Sequence, residues 1–199
     1  MTWQSCLTAS ANVSRRLADL PEGSDVDLVL PEELPIAKQV RNLQSSADSA
    51  TRGKEQQLRA FLQDAASKEH AGSPIVVLPT EPFKGLEQQD FVRLEAAVKV
   101  DDTLYVGEHR LVLGEGGVDD IEMKLVKIRA ALKRNSSPDL AAALHGVTRV
   151  KLFLAGEAVR AGLAVDELVN LAAAVGASVV LPSGQALGLA AEPAPAVQL

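Results

Sequence analysis

Two aspartates carry the sharpest chemical signal in the chain. Ser24-Asp25-Val26-Asp27-Leu28-Val29 places Asp25 and Asp27 two residues apart at the start of an apolar run. Side chains alternate between the faces of an extended strand, so both carboxylates point the same way. Two carboxylates on one face can hold Mg²⁺ against a triphosphate, because Mg²⁺ takes hard oxygen ligands and shares its shell with phosphate.

This stretch resembles the Asp-x-Asp strand of nucleotidyltransferases of the polymerase-β type. The resemblance is short. It implies a Mg-nucleotide site on Asp25 and Asp27, completed by a third carboxylate from a later strand, for which Asp101 or Asp102 could stand in. In that family a Gly-Ser pair opens a helix just upstream. Here the site reads Ala9-Ser10, so the glycine that lets the backbone approach the phosphates is absent. The plainer reading, and the one preferred, is a pair of aspartates on a solvated strand face after a turn. No cofactor is then expected, and Mg²⁺ belongs only to the nucleotidyltransferase alternative.

The remaining candidates are weaker. Gly114-Glu115-Gly116-Gly117 lies between a strand pattern and a helix pattern, where phosphate loops sit. It lacks the spacing of a Walker loop or a dinucleotide fingerprint, and Glu115, Asp119 and Asp120 would repel phosphate, so it reads as a mobile turn. His70, His109 and His145 are far apart, and no pair has metal-ligand spacing. Ser183 has no Gly-x-Ser-x-Gly frame and no recognisable base. Cys6 is the only cysteine and has no basic neighbours, which excludes an internal disulfide and argues against a reactive thiolate. No catalytic or metal-binding residue is assigned. Lys124, Lys127, Lys133 and Arg134 mark the polar side of one helix. Cations near a helix C-terminus are favoured by its dipole, and as a patch they suit an acidic partner or a polyanion.

The elements that must position these residues follow from periodicity and punctuation. A short helix is predicted over Ser10–Leu20 and a strand over Val26–Leu30, stopped by Pro31. Leu34, Ala37, Val40 and Leu43 mark a helix, Ser45 to Gly53 a polar break, and Leu58, Phe61, Leu62 and Ala65 a second helix. Ile75 to Leu78 reads as a buried strand closed by Pro79. Val92 to Val100 alternates with period two, and Asp101-Asp102 turns the chain. Leu104–Val106 and Arg110–Leu113 then continue an antiparallel meander through a tight turn near Gly107.

Asp119 or Asp120 is expected to cap a helix with the core stripe Ile121, Leu125, Ile128 and Leu132. Ser137-Pro138 opens a short helix, and Val147–Leu154 is a strand. Val165–Val175 is a helix closed by Gly176, and Ser178–Leu181 is a last strand closed by Pro182. Leu28 to Pro31, Val76 to Pro79 and Val179 to Pro182 are near copies, read as convergent strand ends rather than a duplicated unit. The fold class expected is α/β, with mixed α+β as its neighbour. Parallel strands near residues 28, 77, 150 and 180 should lie buried at the centre, the meander from 92 to 113 to one side, and helices on the sheet. Residues 1–189 read as a single domain with a possible sub-boundary near 85–90, and residues 190–199 as an extended Ala/Pro tail.

Composition narrows function by exclusion. Of the 199 residues 47% are hydrophobic but only 3% aromatic, so there is a core to bury and little with which to stack bases or cage cations. The net charge of −6 disfavours nucleic acid as a partner, and no Lys or Arg follows Arg160. No apolar run suits a signal peptide or a membrane span, so a soluble protein of the cytoplasm, or of a virion, is expected. Pro193 and Pro195 keep the tail extended. A tail that cannot order itself needs a partner surface for Val197 and Leu199. The functional expectation is a non-enzymatic structural or interaction subunit of a larger assembly. Its partners are copies of itself or other subunits, met through Lys124, Lys127, Lys133, Arg134, Val197 and Leu199. The nucleotidyltransferase built on Asp25, Asp27 and Asp101 is the alternative.

Overall fold

The computed structural model describes residues 35–199 apart from 185, with side chains from residue 52 onward. Asp25, Asp27, Cys6, Ala9-Ser10 and the strand expected near 28 lie outside the described residues. By contacts the chain divides between Ser46 and Ala47, and the sheet belongs to the second part.

Helix α1 spans Pro35–Glu69 without interruption. The expected polar break at Ser45 to Gly53 is therefore corrected. Ser, Asp and a single Gly lower helix propensity by roughly 1 kcal/mol or less each, too little to end a helix that packing holds further on. Its buried stripe is Leu58, Leu62 and Ala66, four apart, with Ala66 in place of the expected Ala65.

Strand β1 (Ile75–Val77) is followed by β2 (Phe83–Lys84) and β3 (Asp90–Val92), which pair as a separate two-stranded ribbon. Strands β4 (Ala96–Val100) and β5 (Thr103–Leu113) form a hairpin through the Asp101-Asp102 turn. Helices α2 (Glu115–Arg134) and α3 (Pro138–Ala143) lead to β6 (Arg149–Val159), and α4 (Val165–Ala174) leads to β7 (Ala177–Ser183). Strands β8 (Ala186–Leu189) and β9 (Val197–Gln198) complete the order. The main sheet runs β1-β4-β5-β6-β7-β8, with β9 added to β6. Its centre β5-β6-β7 is parallel and its flanks are antiparallel, so the mixed α/β sheet is observed. Helix α1 covers one face, over Val98, Tyr105, Phe153 and Val180. Helices α2, α3 and α4 cover the other through Ile121, Leu125, Ile128, Leu140 and Leu168. No described helix is long and apolar enough to cross a membrane.

The sheet order differs from the expectation in three places. Val180 is fully buried, but Val77 is 41% exposed because β1 is the edge strand, paired on one side only. Strand β5 does not turn at Gly107. It runs straight through and pairs in parallel with β6, from Thr103 opposite Arg149 to Leu113 opposite Val159, which moves the meander from the margin to the middle. Gly107 is where α1 presses on the sheet, since a Cβ there would sit 2.7 Å from Leu58 Cδ2. Strand β7 continues through Pro182, which lies opposite Leu187 of β8. Beyond Val180 it pairs with no further residue of β6, and proline is tolerated where one side of a strand is open. The two described copies of the repeated apolar motif thus occupy unlike places, an antiparallel edge and a parallel interior strand.

Local punctuation fares better. Ser137 is the residue before α3, with Pro138 in its first turn, while the Ser137 hydroxyl donates to Lys84 O at 2.6 Å and not to the helix. Gly176, at φ 76°, follows α4. Helix α2 starts at Glu115 on Gly114, earlier than an aspartate cap at Asp119 or Asp120 would put it. The tail also orders itself. Val197 pairs with Val150, Leu199 N–H donates to Thr148 O at 3.1 Å, and Ala194 N–H donates to Ser178 Oγ at 3.0 Å. The surface that its apolar residues need is on its own chain, which corrects the argument that only a neighbouring subunit could hold it.

Candidate functional site

Two polar networks bracket the parallel strands. The first lies at their amino ends. Asp101, at φ 51° in the β4–β5 turn, receives Ser73 Oγ on Oδ2 at 3.0 Å, and His70 Nδ1 lies 3.0 Å from the same oxygen. Asp102 Oδ1 receives Arg149 at 2.7 Å and Thr103 Oγ1 at 3.1 Å, and Oδ2 receives Thr148 Oγ1 at 2.8 Å. The Arg149 bond, with help from Thr148, holds the Asp102 carboxyl well below the usual range. Asp101 ties the turn to the loop that follows α1, and Asp102 ties it to the start of β6. No three His, Cys, Asp or Glu side chains among the described residues are grouped to hold a metal ion.

Behind them, the buried Tyr105 donates its hydroxyl to Glu69 Oε2 at 2.8 Å, and Lys151 Nζ donates to the same oxygen at 2.6 Å. Burial and the Glu69 carboxylate push the Tyr105 hydroxyl up. Burial alone would raise Glu69, but the bonds from Lys151 and Tyr105 outweigh it and lower the group. A phenol held protonated against an ionised carboxylate is neither base nor nucleophile. Phe153 stacks on the tyrosine ring at 6.2 Å, so the arrangement is a polar rivet through the α1 face of the core. Tyr105→Phe removes a hydrogen bond to a charged acceptor and is expected to cost about 2 kcal/mol. Chemical denaturation checks this, with an unchanged circular dichroism spectrum showing that the fold survives.

The second network runs from the middle of β5 toward the carboxyl ends of β5 and β6, the side on which open α/β sheets usually hold their ligands. Alternation along β5 sends Glu108 and Arg110 toward α2 and His109 toward α1. Glu108 is almost wholly buried. It pairs with Lys124 of α2, and with Arg110 Nη2 at 3.1 Å, while Arg110 also pairs with Asp120. Burial pushes the Glu108 carboxyl up, and the charge of Lys124 opposes that rise. On the α1 side His109 Nε2 lies 3.3 Å from Glu157 Oε1, which also takes Lys54 at 2.9 Å. The Lys54 bond is the main cause that lowers Glu157. Glu95 accepts the His109 backbone N–H at 3.2 Å, and Glu55 pairs with Arg93 at 2.8 Å.

The chain matches no protein-family model, no curated protein and no solved structure.

In the carboxyl-end network the most deeply buried carboxyl, Glu108, is walled in by Lys124 and Arg110, and the buried Glu55 pairs with Arg93. Glu108 and Lys124 are held inside the fold, whereas Arg93, Arg110 and Asp120 of the same network reach solvent. Its sequence signal is the polar run Glu108-His109-Arg110 inside an apolar strand, just after the glycine expected to turn the chain.

The residues singled out for interaction separate into two groups. Lys124 is taken up by Glu108, and Lys127 sits over the Phe91 ring at 6.0 Å. Val197 and Leu199 are half-buried against their own core. Lys133 and Arg134 are exposed in the last turn of α2 and make no ion pair among the described residues. A cleft of about 400 Å³ opens between α2, α4 and the tail, lined by Val126, Arg129, Ala174, Gly176 and Val197. Val126 and Met123, one turn apart on α2, are 50% and 54% exposed. Leu171 and Ala174, three apart on α4, are exposed as well.

Proposed function

We propose that the chain is a non-enzymatic interaction subunit that associates with copies of itself through the outer face of the α2–α4 layer. The observation that carries this reading is a contrast. The side chains with chemical potential at both ends of the parallel strands are engaged within the fold. By contrast, Met123, Val126 and Leu171 are turned outward beside a cleft. Large apolar side chains gathered on one exposed helical layer favour a protein partner. A repeated subunit of a particle, a virion included, is the kind of assembly such a face serves.

The test is sedimentation velocity of the full chain over a wide concentration range. The expected result is a mass that rises with concentration. A monomer at every concentration would overturn the reading. Incubation with Mg²⁺ and ATP or GTP is expected to leave the nucleotide intact. Consumption that is lost in Asp25→Asn and Asp27→Asn would return the nucleotidyltransferase alternative.

A further inference from the structure

We infer that α2 is the seam of a two-fold dimer, lying antiparallel to α2 of a second copy with the axis at Val126. The inference rests on the self-association reading and specifies its register. Asp119, Met123, Val126, Ala130 and Lys133 follow one another at steps of four, three, four and three. That is the heptad spacing that keeps one stripe of a helix against a neighbour. Asp119, Met123, Val126 and Lys133 are exposed, and Ala130 is half-buried. The stripe is acidic at its start, apolar in its middle and basic at its end.

The fold isolates this stripe from the rest of the helix. Ile121, Leu125 and Ile128 face the sheet, while Asp120 and Lys124 are tied to Arg110 and Glu108. Asp119 and Lys133 make no ion pair among the described residues. An antiparallel two-fold pairing centred on Val126 sets Asp119 against the partner's Lys133, and does so twice by symmetry. It sets Val126 against the partner's Val126 and Met123 across from the partner's Arg129, whose aliphatic stem and the neighbouring Ala130 offer it apolar contact. A parallel pairing would set Asp119 against the partner's Asp119, where like charges repel. The pattern is complementary to itself in one orientation, which is why the occupant is a second copy of this chain.

Charge reversal tests the register. Asp119→Lys and Lys133→Asp each turn two attractions into two repulsions, and each is expected to weaken self-association about tenfold. Both positions are exposed, so the fold should be unaffected. An equimolar mixture of the two variants rebuilds both pairs and should dimerise as the parent does. Val126→Cys, with Cys6→Ser, is expected to form a disulfide dimer on mild oxidation, read on a non-reducing gel. If the parent associates but the single reversals leave it unchanged and Val126→Cys does not cross-link, the seam is overturned and the self-association reading stands. If the parent is monomeric throughout, both fall.

Discussion

Gly156→Ala is expected to lower the unfolding free energy by about 3 kcal/mol, the upper end of the ordinary cost of overpacking a core. Gly156 lies opposite Arg110 in the parallel pair at the middle of the sheet. A Cβ added there would sit 2.8 Å from the Arg110 carbonyl oxygen and 2.7 Å from Leu113 Cδ2. Leu113 is fully buried, and a carbonyl within a strand cannot rotate away, so the strands themselves must part. Gly107→Ala is the control. Its new methyl meets only the side chain of Leu58, and the loss should be smaller. Urea unfolding with an unchanged m-value measures both. A Gly156→Ala loss below that of Gly107→Ala would show that β5 and β6 do not meet as described.

Glu108→Ala is expected to cost about 3–5 kcal/mol, the range for breaking one side of a buried ion pair. Lys124, 13% exposed, would keep its charge with the carboxylate gone. Glu108→Gln retains an acceptor for Lys124 and no longer buries a negative charge, so its loss should be clearly smaller. The two substitutions also separate in their pH dependence. Burial raises the folded Glu108 above its ordinary 4.5, against the pull of Lys124. Between those two values the native state keeps a proton that the unfolded chain has released. The contribution of this group is therefore full below the unfolded value and declines as pH rises through the window. Glu108→Gln should remove that decline. Asp102, held low by Arg149, works in the opposite sense, contributing above its ordinary 3.8 and fading as pH falls below it. Unfolding curves collected from pH 3 to pH 8 check both signs. An identical pH profile for parent and Glu108→Gln would show that Glu108 is not buried as described.

Local chemistry was legible in the sequence because it depends on neighbours in the chain. Ser137-Pro138 opens a helix, Gly176 closes one and Asp101-Asp102 turns a hairpin, since each meets a backbone requirement within a few residues. The stripe of Ile121, Leu125 and Ile128 points inward for the same reason, because periodicity alone aims it. What tertiary structure decided is which strands become neighbours and which charges meet. Val77 and Val180 sit in near-identical motifs, yet one is at an edge and the other is interior, because hydrophobicity marks a strand without naming what pairs with it. Gly107 reads as a turn until α1 is laid across it. Glu108 and Lys124 are sixteen residues apart, and only the packing of α2 on β5 turns two unremarkable charges into one buried pair. That same packing leaves Asp119, Met123, Val126 and Lys133 facing outward, because a helix laid on a sheet can bury only one of its faces.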